Sequence, residues 1–402
     1  MIRLLRRAPR TGAALAAAVT SLSLLTGASS CGPEGLAGKP RAPRDAIQVW
    51  PADARRDVAV NDPLVVRVPD GRLESVRVVR TGEAREQPVP GRVSGDGLSW
   101  RPTAKRLAPA AAYRVDAVAL DGHGRRTARH TTFRTRVPDE RFLAYTAPEN
   151  RATVGTGMII SLEFNRKVVD RAAVERAVEV TTRPRVDVVG HWFGAERLDL
   201  RPETYWKPGT EVTVRLRLRD VEAAPGVHGL QDRSFAFTVG RAQTSVVDAA
   251  AHTMEVRRDG DLLATLPVTA GTAKSPTYNG KMVVTEMFET TRMNSRSVGF
   301  GGEYDIPDVP HAIRLTSSGT FLHGNYWAGG VFGKSNVSHG CVGLRDVKGG
   351  SSRTPAGWFF DRTLVGDVVE VRRSEDRVVA ADNGLGGWNL DWAQWRSGSA
   401  LP

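Results

Sequence analysis

Two stretches of the chain repeat one alternating pattern of apolar and polar positions. In residues 46–137, short alternating runs such as 64–68 and 113–120 are separated by turn signals, among them Asp121-Gly122. Residues 141–240 repeat the pattern, and the run Leu98-Ser99-Trp100-Arg101-Pro102 has a counterpart in residues 198–202. Strand-length alternation at this spacing, occurring twice, predicts two tandem Ig-like β-sandwiches over residues 46–140 and 141–241.

A third unit with strand patterning is expected over residues 242–373. Its opening predicts a hairpin, because Asp259-Gly260 separates the alternating runs 254–256 and 262–264 and favours a tight two-residue turn. Residues 354–364 predict a short helix, and residues 366–371 predict a closing strand. The chain is therefore predicted to be mostly β in all three units.

Residues 374–402 predict a tryptophan-rich tail that packs on the preceding domains. Trp388, Trp392 and Trp395 are spaced by four and three positions, which places them on one face if residues 383–396 form a single helix. Insertion of this tail into a membrane is the alternative. Its short length and the charged residues Asp391 and Arg396 argue against insertion.

The N-terminal residues 1–31 have the pattern of an export signal. Four arginines among the first ten residues precede an apolar run of 14 residues, 12–25, which is too short to span a bilayer. The run Ala28-Ser29-Ser30-Cys31 resembles the lipobox of bacterial lipoproteins, with Ala28 at the usual leucine position. This resemblance implies a lipid on Cys31 and anchoring on the outer face of the cytoplasmic membrane; ordinary signal cleavage with an incidental Cys31 is the alternative. Residues 32–45, rich in Gly, Pro and charge, predict a flexible tether.

The overall charge is strongly basic. The 402 residues carry a formal net charge of +12, with arginines spread along the whole chain. No nucleic-acid-binding motif accompanies them, so nucleic acid is not an expected partner. A cationic surface suits the anionic cell envelope to which an exported protein would be delivered.

One of only two cysteines in the chain lies beside histidines in a glycine-rich stretch. Cys341 closes the run Ser338-His339-Gly340-Cys341, and His323 lies eighteen positions upstream. A thiol close to an imidazole is a nucleophile with its base, and Gly340 allows a tight bend that turns backbone amides toward an oxyanion. We expect the pair to hold the thiol largely as thiolate when the imidazole is charged, and a backbone carbonyl near Gly324 to fix the His323 tautomer.

Cys341 has three other possible interpretations. A lone buried cysteine is ordinarily a small hydrophobic residue. A zinc site would want more than one thiolate in paired spacing, and the chain has no such pair, so no metal is expected. A Cys31–Cys341 disulfide would join a flexible terminus to a reactive site, which makes it a poor candidate.

His323-Gly324 followed by Ser338-His339-Gly340-Cys341 resembles the signature of the L,D-transpeptidase (YkuD) family. The tandem Ig-like domains and the tryptophan-rich tail resemble those of mycobacterial-type members. The resemblance implies that Cys341 is the nucleophile and His323 the general base, with Ser338, His339, Gly340 and Tyr304 shaping the oxyanion hole and pocket. It also implies substrate contacts, assigned more weakly, from Met293, Trp327, Asn336 and Gly343. Many members carry Asn or Arg where this chain has Gly343, which leaves the role of that position open.

The implied activity is formation of 3→3 cross-links between peptidoglycan stem peptides through a cysteine acyl-enzyme. Water as acceptor would make the protein an L,D-carboxypeptidase, and a protein amine would make it a wall-anchoring enzyme. A non-enzymatic envelope lipoprotein that binds wall polymer is the further alternative. The expected partners are donor and acceptor stem peptides and the cell membrane, reached through an N-terminal lipid. No cofactor is implied, and a monomer is expected.

Overall fold

A computed structural model describes residues 46–82, 86–104, 106–138, 140–295 and 305–402. The predicted signal, the tether, Cys31 and Tyr304 lie outside these residues. The described part is mostly strand with three short α-helices, which confirms the predicted fold class. None of its helices is long and apolar enough to cross a membrane.

The first Ig-like domain consists of two facing sheets. One has the strand order β1-β3-β7-β6 and the other the order β2-β9-β8-β4-β5. The strands are β1 Gln48–Trp50, β2 Arg55–Val58, β3 Val65–Arg67, β4 Arg72–Thr81, β5 Gln87–Pro88, β6 Gly91–Val93, β7 Ser99–Pro102, β8 Ala112–Leu120 and β9 Arg126–Thr135. Alternate residues of β8 are buried along its whole length, as the sequence pattern predicts.

The second Ig-like domain repeats this arrangement. Its sheets have the orders β11-β13-β16-β15 and β12-β20-β17-β14, and a three-stranded sheet β10-β19-β18 is added at one end. The elements are β10 Glu140–Phe142, β11 Ala144–Ala147, β12 Thr153–Val154, β13 Ile160–Phe164, α1 Arg171–Arg176, β14 Val178–Arg183, β15 Val189–Phe193, β16 Arg197–Arg201, β17 Glu211–Arg217, β18 Glu222–Ala224, β19 Val227–Gly229 and β20 Asp232–Val239. Because β7 and β16 occupy the same place in their sheets, the repeat in the sequence reflects a repeat of the fold.

The third domain contains a nine-stranded sheet with the order β24-β29-β21-β22-β23-β28-β27-β26-β25. Its elements are β21 Gln243–Asp248, β22 Thr253–Arg258, β23 Asp261–Thr269, β24 Gly280–Val283, β25 Glu286–Asn294, β26 Asp305–Arg314, β27 Phe321–Asn325, β28 Val342–Arg345, α2 Pro355–Phe360 and β29 Val368–Arg372. The predicted hairpin is present, with Asp259 at φ 52° and Gly260 at φ 95° in its turn. Thr354 caps α2 by accepting the Gly357 N–H at 3.2 Å.

The tail differs from the single helix that its tryptophan spacing predicted. Trp388 lies in a 3₁₀-helix, Gly386–Asn389, whereas Trp392 and Trp395 lie in α3, Trp392–Ser397. Leu390 between them is extended. Asp391 forms a capping box with Gln394, and this cap starts a new helix where the periodicity had suggested a continuous one.

The tail contacts both the second Ig-like domain and the nine-stranded sheet of the third domain. The indole N–H of Trp388 donates to Gly157 O at 2.7 Å, and that of Trp395 donates to Val189 O at 2.9 Å. The Arg201 guanidinium lies 4.4 Å from the ring centroids of both tryptophans. We call this set, Arg201, Trp388 and Trp395, the tail junction. Asn389 accepts the Lys281 N–H at 2.8 Å, which ties the same tail to β24.

Candidate active site

The thiol and the imidazole are brought together by two neighbouring parallel strands. β27 pairs with β28 so that Leu322 faces Val342 and His323 faces Gly343. Cys341, one residue before β28, therefore lies opposite Phe321. Side chains alternate between the faces of a sheet, so Cys341 and His323 point to one face while Leu322 and Val342 enter the core on the other. Cys341 and His323 therefore lie diagonally across the two paired strands, on the same face of the sheet.

The tautomer of His323 is fixed by its own strand. Its Nδ1 lies 2.9 Å from the Gly324 carbonyl oxygen, which can only accept, so the proton is on Nδ1. The predicted carbonyl near Gly324 is therefore the group that orients the ring. Among the described residues, Nε2 has no hydrogen-bond partner, which leaves its lone pair available to take a proton. The ring is 4% exposed, and burial lowers the pKa of His323 while the Gly324 carbonyl opposes that effect.

The thiol is held by backbone groups. Sγ of Cys341 accepts the Phe321 N–H at 3.4 Å and donates to Gly319 O at 3.7 Å. Cys341 is a free cysteine and is 9% exposed. Burial raises the pKa of the Cys341 thiol to about 11, although the Phe321 N–H lowers it in part.

These two pKa directions both disfavour the charged forms of Cys341 and His323. Both groups are neutral near pH 7, because burial penalises the charged form of each in the absence of a hydrogen bond between them. Sequence spacing brings the residue types together but cannot report how much water reaches them.

The turn over residues 338–341 is organised by Ser338. Its Oγ donates to Cys341 O at 2.5 Å and accepts the Gly340 N–H at 3.2 Å. Gly340 has φ +109°, a conformation that glycine adopts readily. Within the described residues, the Cys341 N–H has no acceptor, so it is an amide of this turn that can receive a developing oxyanion.

Two predicted substrate contacts lie directly beside the pair. The Trp327 ring stacks on the His323 ring with 5.6 Å between centroids and an interplanar angle of 13°, while 42% of Trp327 is exposed. Asn325 sets this geometry, because its Oδ1 accepts the N–H groups of Trp327 and Ala328 at 3.2 and 3.0 Å. Met293 packs in one apolar cluster with Cys341.

The remaining predicted site residues have other contacts. Asn336 accepts the Ala270 N–H at 2.8 Å and donates to Ala249 O at 2.9 Å, so it ties its loop to the β21–β23 region. Gly343 is buried, and a Cβ there would lie 2.9 Å from Thr269. His339 is exposed. Contacts of these residues with substrate, and any role of Tyr304, stay predictions.

Sequence reasoning missed a buried histidine–carboxylate pair behind the base. Nδ1 of His311, a residue of β26, lies 2.6 Å from Oδ2 of Asp346, the residue that follows β28. The only signal in the sequence is that Asp346 follows Cys341 by five positions. Nothing in the pattern indicates that β26 brings His311 to it.

A cavity of about 860 Å³ lies elsewhere, between the second Ig-like domain and the catalytic sheet. Glu163 and Arg197 line it on one side and Met287 and Arg314 on the other, and neither Cys341 nor His323 is among its lining residues. Its size alone does not make it the reaction site, because the nucleophile and base lie outside it.

Comparisons with known proteins identify the family of this chain. The L,D-transpeptidase catalytic domain (YkuD) family matches residues 242–371, and the bacterial Ig domain family matches residues 55–222. L,D-transpeptidase 2 of Mycobacterium tuberculosis is 33% identical over 353 residues, which cover 87% of this chain and 83% of that relative. The chain belongs to the L,D-transpeptidase family. L,D-transpeptidase 5 of the same species is 31% identical over 374 residues, covering 91% of this chain and 80% of the relative.

The solved structure of the LD transpeptidase LdtMt1 in complex with imipenem covers 58% of this chain and 100% of its own, at 30% identity and a TM-score of 0.48. Membership of the family confirms that this L,D-transpeptidase acts on peptidoglycan stem peptides in cell-wall cross-linking, as the motif in residues 338–341 predicted.

Proposed function

We propose that this L,D-transpeptidase forms 3→3 cross-links by a two-step acyl transfer on Cys341. In the first step Sγ attacks the carbonyl carbon of the L-centre–D-Ala bond in a tetrapeptide stem. The S–H proton passes to Nε2 of His323 and from there to the leaving amine of D-Ala, so a thioester forms and D-Ala departs. In the second step an amine of a neighbouring stem attacks the thioester, and its proton returns through His323 to sulfur.

The neutral resting pair fits this sequence. A buried thiol with a pKa of about 11 is a poor nucleophile until its proton has an acceptor. His323 provides one, because its Nδ1 is committed to Gly324 O at 2.9 Å and Nε2 carries the free lone pair. The charged pair then exists only with a polar substrate beside it, and the Cys341 N–H stabilises the oxyanion that develops.

One observation carries the proposal: the parallel register of β27 and β28, which sets Cys341 and His323 on one face of the sheet. The test is incubation of purified protein with a tetrapeptide donor, with mass spectrometry for cross-linked dimer, free D-Ala and the acyl-enzyme. We expect dimer and D-Ala from the wild type and neither from Cys341→Ala. Cross-linking retained by that variant would refute the assignment.

The same assay separates the acceptors. Free D-Ala without dimer would identify an L,D-carboxypeptidase, because water would then resolve the thioester. Neither product from a folded wild-type protein would favour the non-enzymatic interpretation. Acylation of Cys341 by a carbapenem, followed by intact mass, gives a first measure of whether the thiol is reactive.

We further propose that the protein is exported and held at the outer face of the cytoplasmic membrane by a lipid on Cys31. The support is the sequence of residues 1–31 alone. Metabolic labelling with a fatty acid should mark the wild type and not Cys31→Ala. Equal labelling of both proteins would remove the proposal without affecting the enzymatic one.

A further inference from the structure

A buried carboxylate lies directly behind the strand that carries the base. The Asp346 side chain is excluded from solvent and accepts three hydrogen bonds. Its Oδ1 receives the Val347 N–H at 2.8 Å and shares the Thr354 Oγ1–H, at 2.9 Å, with Ser351 O, at 2.6 Å, and its Oδ2 receives His311 Nδ1–H at 2.6 Å. Donors from α2, from its own turn and from β26 therefore fix the carboxylate in one place.

The same oxygen that binds His311 touches Gly324. A Cβ built on Gly324 would lie 2.2 Å from Asp346 Oδ2 and 2.9 Å from Asp346 Cβ, so only glycine can pack this closely. The Asp346 N–H also points to Asn325 O at 3.4 Å. Gly324 is the residue whose carbonyl binds Nδ1 of His323 at 2.9 Å. The carboxylate therefore supports the backbone segment that orients the base.

His311 is held in this contact at a cost to its own backbone. It has φ +49°, a left-handed conformation that disfavours residues with a Cβ. Gly350 packs against the ring, since a Cβ there would lie 2.9 Å from Cε1, and the Phe360 ring is 5.1 Å away. An unfavourable backbone persists where the surrounding structure requires it, and here the ring is confined from two sides and bonded at Nδ1.

We propose that the His311–Asp346 pair is a positioning device for the general base. It acts through Gly324, by keeping the Gly324 carbonyl where Nδ1 of His323 needs it. The inference rests on the proposed role of His323, and it assigns His311 a role in turnover although the contacts described here do not join it to Cys341.

The competing interpretation is that His311 only fills space. The two interpretations rank the activities of two His311 variants in opposite order. His311→Asn keeps an N–H donor near the position of Nδ1 and tolerates a left-handed φ, but it leaves part of the ring volume empty. His311→Phe fills the volume and removes the donor. Positioning predicts that His311→Asn is the more active variant, whereas packing predicts that His311→Phe is.

The experiment measures kcat and KM for D-Ala release, together with thermal unfolding. We expect His311→Phe to lose about tenfold in kcat with KM within about twofold, and His311→Asn to stay within about threefold of wild type. If His311→Phe does not fold, His311→Ala replaces it, because Ala and Asn both leave space and differ in the donor. A donor-free variant that matches or exceeds His311→Asn would overturn the proposal.

His191 provides a matched control. Like His311 it is half-buried and donates through Nδ1, but its acceptor is the Trp395 carbonyl at 2.8 Å and it lies in the second Ig-like domain. His191→Phe and His191→Asn should leave kcat unchanged; the same Asn-over-Phe ordering there would show that kcat follows stability alone and overturn the inference. Failure of the proposed function is distinguishable, because Cys341→Ala would then retain turnover or the wild type would have none.

Discussion

The tail junction and the active-site cleft, which we define as Cys341, His323 and Trp327, both place aromatic rings beside nitrogen-bearing side chains, yet they use their polar atoms differently. At the tail junction the indole N–H groups of Trp388 and Trp395 donate to carbonyls at 2.7 and 2.9 Å. Burial lowers the pKa of Arg201 to about 10, so the guanidinium stays charged at neutral pH between its tryptophans. In the cleft, Nε2 of His323 and the N–H of Cys341 have no partner among the described residues.

The difference separates stability from chemistry. The indole N–H groups at the tail junction hold the domains together, because breaking their hydrogen bonds would leave a buried donor unsatisfied, as Nε of Arg201 already is. A buried group that keeps a polar atom without a hydrogen-bond partner contributes little to folding, and that atom can act on a bound substrate. Substitutions at the tail junction should therefore change unfolding and leave turnover per folded molecule intact, whereas substitutions in the cleft should do the reverse.

The largest effect is expected for His323→Gln. Glutamine can still donate to Gly324 O but cannot take the thiol proton, so kcat should fall by up to about 10⁴-fold, the upper range for loss of a general base. The urea midpoint should change little, since the packing volume is similar. Rapid-quench measurement of Cys341 acylation tests this, and near-normal acylation would remove His323 from the mechanism.

At the tail junction, Trp395→Ala should cost about 3–5 kcal/mol in the free energy of unfolding. The ring is fully buried, stacks on His191 at 4.9 Å and donates to Val189 O. Denaturant unfolding measures the loss, and titration of acylable Cys341 gives the active fraction at low temperature. A fall in kcat per active site would show that the junction and the cleft are coupled.

The buried thiol also makes stability depend on alkaline pH. The folded-state pKa of Cys341 is raised from 9.0 to about 11, so its contribution is complete below pH 9 and is lost as pH rises through about 11. The difference of about 2 between these values corresponds to about 3 kcal/mol. Wild type should therefore lose more stability than Cys341→Ala between pH 8.5 and 11, as measured by urea unfolding; parallel curves would contradict the burial of the thiol.

For His323 the sign is opposite. Its folded-state pKa lies below the ordinary 6.5. The folded protein therefore binds fewer protons than the unfolded chain at pH values between the lowered pKa and about 6.5. Its contribution is complete above about pH 6.5 and declines as pH falls. The same lowered pKa predicts that cross-linking activity persists below pH 6.5, since the base remains neutral there.

Sequence alone predicted what depends on local pattern. The alternation in β8 and β17 indicated strands, the repeat 98–102 and 198–202 indicated two sandwiches, and the motif around Cys341 indicated the chemistry. Three features escaped it because they depend on tertiary contacts. They are the break in the tail at Leu390, the neutral state of Cys341 and His323, and the approach of His311 to Asp346.

The smallest effect is expected at the rim of the cleft, for Trp327→Ala. The Trp327 ring covers one face of the His323 ring, with 5.6 Å between centroids, while 42% of Trp327 is exposed. Its removal should therefore let water reach the imidazole without leaving a cavity in the hydrophobic core. An aromatic stack of this kind contributes about 0.5–1.5 kcal/mol, which corresponds to at most about tenfold in kcat/KM. Trp327→Phe should recover most of the loss, and both variants should unfold with wild-type midpoints. A stability loss without a kinetic one would place Trp327 with the tail junction, as a packing residue, and would narrow the cleft to Cys341, His323 and the backbone that holds them.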